Sequence, residues 1–294
     1  MNRRSLLRRL ATAIAVTIFA APQARAQMQD VPYVPTPANV VEAMLKMARV
    51  GPADFVIDLG SGDGRIVIAA VKQYGARGFG VDIDGSLVSE SRREAERQGV
   101  AGRAEFHERN LFITDISRAT VLTMYLFPQV IMRLRPRILA ELKPGTRVVS
   151  HDFDMDKWRP DDRLKVPVPD KPFGPPSSET YLWIVPANAA GVWQWRLDVG
   201  GAPVAYELAL QQTFQMLAGN PVVGGKPARI EGGRMRGDEI RFVLTADLGG
   251  RQVRHEFTGR AAGDVISGKV KLDGGSELSW NAVRVKAGSI DMEN

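Results

Sequence analysis

A glycine-rich segment near residue 60 has the residue types and the spacing of a nucleotide-binding loop. The apolar run 55–59 is typical of a strand buried on both faces, and Gly-Ser-Gly-Asp-Gly follows it at 60–64. A helical pattern begins at Ile66, and a second predicted strand, 78–81, ends in Asp82. This order predicts a site for an adenosine-containing cofactor, because glycine lets the backbone approach a ligand and the acid accepts hydrogen bonds from ribose hydroxyls.

The spacing of the glycines separates this loop from loops that bind dinucleotides. Dinucleotide enzymes use G-x-G-x-x-G with a pyrophosphate at the helix N-terminus, whereas this chain has G-x-G-x-G after an acid. A cofactor with an amino-acid tail needs a carboxylate near its ammonium group, and Asp58 and Asp63 are the local candidates. The segment 110–112, Asn-Leu-Phe, pairs a polar with an apolar side chain and is expected to hold an adenine ring. The predicted cofactor-binding residues are Asp58, Gly60, Ser61, Gly62, Asp63, Gly64, Asp82, Asn110 and Leu111.

Three residues at predicted strand ends are candidates for the reaction itself. Tyr125 lies at the end of the predicted strand 120–126, and His151 and Asp152 follow the predicted strand 146–150. Carboxyl ends of parallel strands meet at one edge of a sheet, so these side chains are expected to line one opening at that edge. This opening is called the acceptor mouth. Tyr125 is predicted to orient an acceptor by a hydrogen bond or a cation–π contact, with packing of a strand end as the alternative. His151 is a candidate base, and a structurally satisfied histidine is the favoured alternative.

The elements around these residues alternate between strand and helix patterns, which predicts an α/β fold of Rossmann-like type. Thr36 and Pro37 precede a helical pattern that continues to Val50, with Thr36 as the expected N-cap. The proline-rich segment 160–176 is interpreted as a loop before a last strand at 181–185.

The segment 58–65 resembles the first motif of class I S-adenosylmethionine-dependent methyltransferases, Asp82 their second, and 110–112 a weakened third. A closer similarity is to the small lysine methyltransferases that include the ATP synthase c-subunit and adenine nucleotide translocase enzymes. It rests on the segments 33–37, 62–68 and 125–130. The resemblance covers about residues 31–186. It implies a seven-stranded sheet, one bound S-adenosyl-L-methionine, and methyl transfer to a protein lysine.

The first 26 residues have the order of a secretory signal peptide. Four arginines stand within residues 3–9, an apolar run covers 10–21, and Ala-Arg-Ala at 24–26 is a cleavage pattern. The protein is therefore expected in the bacterial periplasm, by the Sec or the twin-arginine route, with no membrane span after cleavage. The alternative is anchorage by an uncleaved segment.

Charge and composition exclude several classes of function. Lys and Arg total 39 against 33 acidic residues, and removing the five arginines of residues 1–26 leaves 34 against 33. Because no basic run with interleaved aromatic residues is present, nucleic acid is not an expected partner. The chain has no cysteine and three histidines, so disulfides and thiol nucleophiles are excluded and no metal site is predicted. The expected partner is a protein substrate, which can be membrane-associated; the sequence does not predict an oligomeric state.

The last third of the chain follows a different pattern. Of the 29 glycines, 17 lie in residues 188–294, where short alternating runs replace helical periodicity. The Gly-Gly pair at 249–250 and the Asp-Gly-Gly triplet at 273–275 are expected to form hairpin turns. This pattern predicts a small antiparallel all-β domain, either a barrel or a sandwich. The predicted domains are a signal peptide at 1–26, a methyltransferase domain at 27–187 and the β-rich domain at 188–294.

Two other functions stay open at this point. One is a methyltransferase with a small-molecule acceptor. The other is a non-catalytic, cofactor-binding assembly module of the cell envelope, because S-adenosylmethionine is made in the cytoplasm and export separates the protein from that supply.

Overall fold

A computed structural model of the chain describes residues 33–172 and 174–292, so the predicted signal peptide lies outside the described residues. Pro35–Asn294 forms one compact unit that contains two sheets. No helix in the described part of the chain is long and apolar enough to cross a bilayer.

The first sheet has seven strands. They are β1 (Phe55–Leu59), β2 (Arg77–Asp82), β3 (Ala104–Glu108), β4 (Val121–Met124), β5 (Arg147–His151), β6 (Asp162–Pro167) and β7 (Ser177–Ile184). Their order is β3-β2-β1-β4-β5-β7-β6, with the first five strands parallel and β7 antiparallel to both of its neighbours. The predicted α/β class and the seven strands are confirmed. The reversal of β7 brings its first residues to the edge where β1, β4 and β5 end.

Four helices pack on this sheet: α1 (Ala38–Met47), α2 (Arg65–Tyr74), α3 (Gly85–Arg97) and α4 (Pro128–Glu141). Helix α1 buries Val40, Val41, Met44 and Leu45, which recur at helical spacing and so form one apolar face. Its N-cap is Pro37, without a side-chain cap, so the expected capping role of Thr36 is wrong. The hydroxyl of Thr36 contacts the imidazole of His151 instead.

Strand β6 lies inside the segment that the sequence indicated as a loop. It is an edge strand whose six residues pair only with β7, and only Val166 is buried. Such a strand needs no buried alternation, and Pro160 and Pro167 stand before it and at its end, where proline removes no ladder hydrogen bond. The sequence of β6 therefore lacked both patterns that predict a strand, which are alternating buried side chains and a run free of proline.

The second sheet closes into an antiparallel barrel. Its strands are β8 (Gly191–Val199), β9 (Ala202–Thr213), β10 (Met216–Val223), β11 (Lys226–Pro227), β12 (Arg229–Arg236), β13 (Glu239–Leu248), β14 (Arg251–Ala262), β15 (Val265–Leu272) and β16 (Glu277–Ala287). Pairing of β9 with β10 joins the two ends of the sheet, so the barrel alternative is the correct one. The predicted turns at 249–250 and 273–275 connect β13 to β14 and β15 to β16.

Aromatic side chains fill the barrel interior. Trp195 stacks on Tyr206 with centroids 5.1 Å apart, and Phe257 and Trp280 pack edge to face at 4.8 Å. The buried imidazole of His255 and the Tyr206 hydroxyl form a 2.9 Å hydrogen bond. These contacts make the interior a packed core, as expected of a small barrel.

The barrel is docked on the first sheet through both apolar and charged contacts. Trp158 is fully buried and stacks on Phe214, with centroids 5.7 Å apart and planes 3° from parallel. The Arg234 guanidinium lies 2.6 Å from the carboxylate of Asp161, which is only 1% exposed. This ion pair joins strand β12 of the barrel to the residue that precedes β6.

Candidate functional site

The loop between β1 and α2 folds back onto β2 through its own backbone. The N–H groups of Gly60 and Ser61 both donate to the carbonyl oxygen of Val81, at 2.9 Å each. Gly60, Gly62 and Gly64 have φ values of +77°, +53° and +81°, which residues with a side chain rarely adopt. The three glycines are what this turn requires.

Close packing behind the loop restricts its residues further. A Cβ at Gly64 would lie 2.5 Å from the Phe106 ring, and a Cβ at Gly80 would lie 2.4 Å from the Ser61 Cβ. The Ser61 hydroxyl is buried and has no hydrogen-bond partner among the described residues. Because the Ser61 side chain packs beside β2, we expect its backbone rather than its hydroxyl to face a ligand.

Three carboxylates surround the loop. Asp82 at the end of β2 accepts a hydrogen bond from the Gly62 N–H at 2.9 Å, which anchors the loop. Asp63 forms a fork with the Arg65 guanidinium, whose Nε lies 2.9 Å from Oδ1. Asp58 is 1% exposed, and its Oδ1 accepts a 2.7 Å hydrogen bond from the Thr123 hydroxyl.

Burial, against the opposing effect of the Thr123 hydrogen bond and with help from the neighbouring Asp82 and Asp63, raises the pKa of Asp58 to about 7. Asp63 is paired with Arg65, but in the described residues no cation is paired with Asp58 or Asp82. A buried carboxylate beside two others is stabilised by a ligand that brings positive charge.

This donor set fits S-adenosylmethionine, which carries a sulfonium, an ammonium and ribose hydroxyls and has no phosphate. Asp58, Asp63 and the glycine loop would hold its amino-acid part, and Asp82 would hold its ribose. The described residues contain no group of three or more His, Asp or Glu side chains placed to bind a metal ion.

The segment predicted to hold adenine starts next to Asp82, because the Arg109 N–H donates to the Asp82 carbonyl at 2.8 Å. Asn110 caps a short helical turn by accepting the Phe112 N–H at 2.8 Å. Its Oδ1 is thus engaged, which leaves its amide nitrogen for a ligand. Leu111 is 9% exposed and belongs to the core, so only its edge is available.

The predicted acceptor residues come together at the ends of β4 and β5. The ring centroids of Tyr125 and His151 are 3.9 Å apart, and Phe153 lies 6.2 Å from Tyr125 on a nearly parallel plane. Burial raises the pKa of the Tyr125 phenol, as does the negative charge of the nearby Asp152 carboxylate. Tyr125 therefore acts as a hydrogen-bond donor at neutral pH.

His151 packs against the ring of Tyr125 from the protein interior. It is 1% exposed, its Nδ1 lies 3.1 Å from the Thr36 hydroxyl, and its Nε2 lies 2.9 Å from the Ser178 hydroxyl. Burial, opposed by Asp152 and aided by Lys171, lowers the pKa of His151 to about 4. A buried neutral imidazole with both nitrogens engaged is not placed to remove a proton, so the geometry argues against His151 as a base and for a positioning role.

Asp152 has a strained and well-anchored backbone. Its φ is +61°, its N–H donates to the Glu179 carbonyl at 2.7 Å, and its Oδ1 accepts the Glu179 N–H at 3.0 Å. Its Oδ2 lies 2.7 Å from the Lys171 ammonium. The carboxylate is thereby fixed at the mouth.

The cofactor loop and the acceptor mouth are adjacent. A Cβ at Gly60 would lie 2.8 Å from Cδ2 of Leu126, the residue that follows Tyr125. The loop of β1 therefore packs directly on the segment that leaves β4, so the two candidate sites are neighbours.

Comparison of the chain with known proteins shows which family it belongs to. The ANTKMT methyltransferase domain matches residues 58–162. A protein-lysine N-methyltransferase of Saccharolobus islandicus (strain REY15A) is 48% identical over 137 residues, which cover 46% of this chain and 85% of that protein. The chain belongs to the protein-lysine methyltransferase family.

Two further relatives extend the comparison. The human lysine N-methyltransferase of the ATP synthase c-subunit is 35% identical to this methyltransferase over 152 residues, which are 51% of this chain and 64% of the human protein. The chain thus spans less than two thirds of the human relative. A crystal structure described as an RNA methyltransferase from Salinibacter ruber with S-adenosyl-L-homocysteine shares 48% identity, covers 52% of this chain and 94% of that chain, and has a TM-score of 0.48.

Several residues of the methyltransferase site had no signal in the sequence. Thr123 is one position of a buried strand, and Ser178 is one position of the last strand; only the pairing of strands places them beside Asp58 and His151. Lys171 lay in the segment interpreted as a loop, 19 residues from Asp152. Its contact depends on the antiparallel turn between β6 and β7, which the sequence did not indicate.

Proposed function

We propose that this protein transfers a methyl group from S-adenosylmethionine to the Nζ of a lysine in a protein substrate. One observation carries the proposal. The buried, uncompensated carboxylate of Asp58 and its glycine loop lie directly against the strand end that bears Tyr125. The names of the relatives, which state lysine methylation, support it.

The chemistry requires little from the chain beyond positioning, because methyl transfer is an in-line displacement. Bound S-adenosylmethionine supplies a methyl group on a positively charged sulfur; its C–S bond breaks with the electron pair staying on sulfur, and a C–N bond forms. The acceptor Nζ must first lose a proton. Asp152 can hold the incoming ammonium, as it holds that of Lys171 at 2.7 Å, and loss of water around the buried amine favours the neutral form that attacks.

The aromatic wall of the mouth fits an alkyl ammonium. Tyr125 and Phe153 are half-buried and nearly parallel, and Phe127 is 37% exposed at the rim, 6.3 Å from Phe153. Aromatic faces attract cations, and their apolar bulk favours the neutral amine that attacks. The raised pKa of Tyr125 keeps its hydroxyl protonated, so this hydroxyl can donate a hydrogen bond within the mouth.

The proposed location is the periplasm. The basic start, apolar run and cleavage pattern of residues 1–26 support export. The N-terminal sequence of the protein recovered from fractionated cells tests it. A start at Gln27 in the periplasmic fraction is expected, and a full-length chain in the cytoplasmic fraction would refute export.

Incubation of cell-envelope extract with radiolabelled S-adenosylmethionine tests the function. The wild type should place label in the protein fraction, and Gly62→Arg and Asp82→Ala should abolish cofactor binding and labelling. Label in the small-molecule or lipid fraction would favour the small-molecule alternative. Cofactor binding without label in any fraction would favour the non-catalytic alternative.

A further inference from the structure

A lysine of the chain itself occupies the acceptor mouth. Lys171 lies in the connection from β6 to β7, and its side chain is 13% exposed. Its ammonium donates to Asp152 Oδ2 at 2.7 Å and to the carbonyl oxygen of Ser177 at 3.0 Å. Asp152 is the same carboxylate whose negative charge raises the pKa of Tyr125.

The carboxylate does not need Lys171 to hold its position. The Glu179 carbonyl accepts the Asp152 N–H at 2.7 Å, and the Glu179 N–H donates to Asp152 Oδ1 at 3.0 Å, so the backbone of Glu179 fixes both the main chain and the carboxylate of Asp152. The connection has its own backbone hydrogen bonds, from the Val168 N–H to the Pro176 carbonyl at 2.9 Å and from the Lys171 N–H to the Val168 carbonyl at 3.2 Å. The local fold is therefore determined without the ammonium.

A mostly buried ion pair is also an inefficient way to stabilise a loop. Removing two charges from water costs free energy that their attraction roughly repays, so apolar side chains of similar size in place of both Lys171 and Asp152 would stabilise the loop as well. The cation at this position is better explained by the site than by the fold. The two groups that hold the Lys171 ammonium, a carboxylate and a carbonyl oxygen, are groups that recognise a primary alkyl ammonium.

We infer that the Lys171 ammonium occupies the position of the acceptor lysine, and that a substrate lysine binds by displacing Lys171 from Asp152. The inference rests on the proposed function, which it deepens by assigning the acceptor's ammonium to Asp152 and the Ser177 carbonyl. Lys171 is then an internal competitor. It keeps the carboxylate paired in the absence of substrate and weakens substrate binding.

The test measures binding of n-butylammonium chloride, a lysine side-chain mimic, by calorimetry at constant ionic strength. The protein is saturated with S-adenosylhomocysteine, so the measurement does not depend on methyl transfer. Lys171→Met removes the ammonium and keeps the length of the side chain. Lys165→Met is the matched control, because Lys165 is exposed on β6.

Lys171→Met should bind n-butylammonium at least tenfold more tightly than the wild type and Lys165→Met do. Lys171→Gln, which retains a hydrogen-bond donor, should show the same gain, and it serves if the methionine variant does not fold. The KM for a lysine-containing acceptor peptide should fall severalfold in both Lys171 variants. A lysine that only held the loop would give the opposite change when removed, because a loosened mouth binds its substrate less well.

Equal n-butylammonium affinity in the wild type and both folded Lys171 variants would overturn the inference, as would a raised KM. Failure of the proposed function looks different. In that case the Lys171 variants gain n-butylammonium affinity, but no acceptor peptide or extract protein takes up a methyl group.

Discussion

The hydroxyl of Thr123 on β4 donates a 2.7 Å hydrogen bond to the buried carboxylate of Asp58 on β1. This contact stabilises the ionised acid only in part, because burial still raises the pKa of Asp58 to about 7. The carboxylate is therefore near its midpoint at neutral pH, and a cationic ligand determines which form is present.

Cofactor affinity should depend on pH through Asp58. A sulfonium or an ammonium group favours the ionised acid, so binding below pH 7 must first remove the proton. The affinity should fall by up to about tenfold for each pH unit below 7. Calorimetric titration with S-adenosylhomocysteine between pH 5.5 and 7.5 measures this slope.

The matched control is Asp58→Asn, which keeps an oxygen that can accept the Thr123 hydrogen bond. It should bind the cofactor more weakly than the wild type at pH 7.5 and with little pH dependence over the same range. An unchanged slope in this variant would assign the pH dependence to another group.

Asp58→Asn should also make the ligand-free protein more stable at alkaline pH. The folded pKa of Asp58, about 7, lies above its ordinary value of 3.8. The group therefore favours folding when protonated, and that contribution is lost as the pH rises through 7. About three pKa units correspond to roughly 4 kcal/mol as an upper limit. Thermal melts should show a higher Tm for the variant at pH 8 and no gain at pH 4.

Gly64→Ala should destabilise the protein more than Gly99→Ala does. Both glycines have positive φ, +81° and +70°, so both changes introduce the same backbone strain. A Cβ at Gly64 would also clash with Phe106, whereas a Cβ at Gly99 meets nothing within 4 Å. Overpacking should add about 1–3 kcal/mol to the effect at Gly64, measured by chemical denaturation. Equal losses would contradict the packing described behind the loop.

His151→Gln should retain most of the activity. Glutamine can replace the contacts with the hydroxyls of Thr36 and Ser178, and the neutral imidazole is not placed as a base. A loss within about tenfold in kcat is expected, whereas loss of a general base would cost about 10²–10⁴-fold. A loss in that larger range would restore the base assignment.

The same histidine should contribute to acid sensitivity. Its folded pKa of about 4 lies below its ordinary value of 6.5, so between these values the unfolded chain binds the proton first. Stability from this group is lost as the pH falls from 6.5 towards 4. Asp58 acts in the opposite direction over nearly the same range, so Asp58→Asn should expose the acid sensitivity that the wild type masks.

Arg234→Gln should weaken the attachment of the barrel. It leaves the Asp161 carboxylate, 1% exposed, without its cation. The Ile184 N–H still donates to Asp161 at 2.8 Å, and Arg234 is 30% exposed, so a loss of about 1–3 kcal/mol is expected rather than that of a fully buried pair. Arg236→Gln on the same strand is the control, because Arg236 is exposed. Equal melting temperatures of the two variants would contradict the role given to the Arg234–Asp161 pair.

The parts of the fold and site that the sequence could predict are local. Gly60, Gly62 and Gly64 indicate their turn because no other residue adopts that backbone readily, and the strand before them is continuously apolar up to Asp58. The hairpin turns of the barrel were predictable for the same reason.

The remaining features depend on distant pairing. The sequence of β12 shows no clear strand alternation. Gly232 and Gly233 interrupt the pattern, and the register with β13 is irregular at the same place. The Lys171–Asp152 contact needs β7 to run antiparallel to β5, and a proline-rich segment does not specify this. The docking of Trp158 on Phe214 likewise follows from tertiary packing rather than from either residue's neighbours.

The central claim is methyl transfer to a lysine side chain, and tandem mass spectrometry of the labelled acceptor tests it most directly. The acceptor is isolated after reaction with S-adenosylmethionine that carries a deuterated methyl group, and Gly62→Arg protein serves as the control. The wild type should place the deuterated methyl on the Nζ of a lysine, and the control should place none. A methyl group on any other atom, or the same lysine label with Gly62→Arg, would contradict the claim.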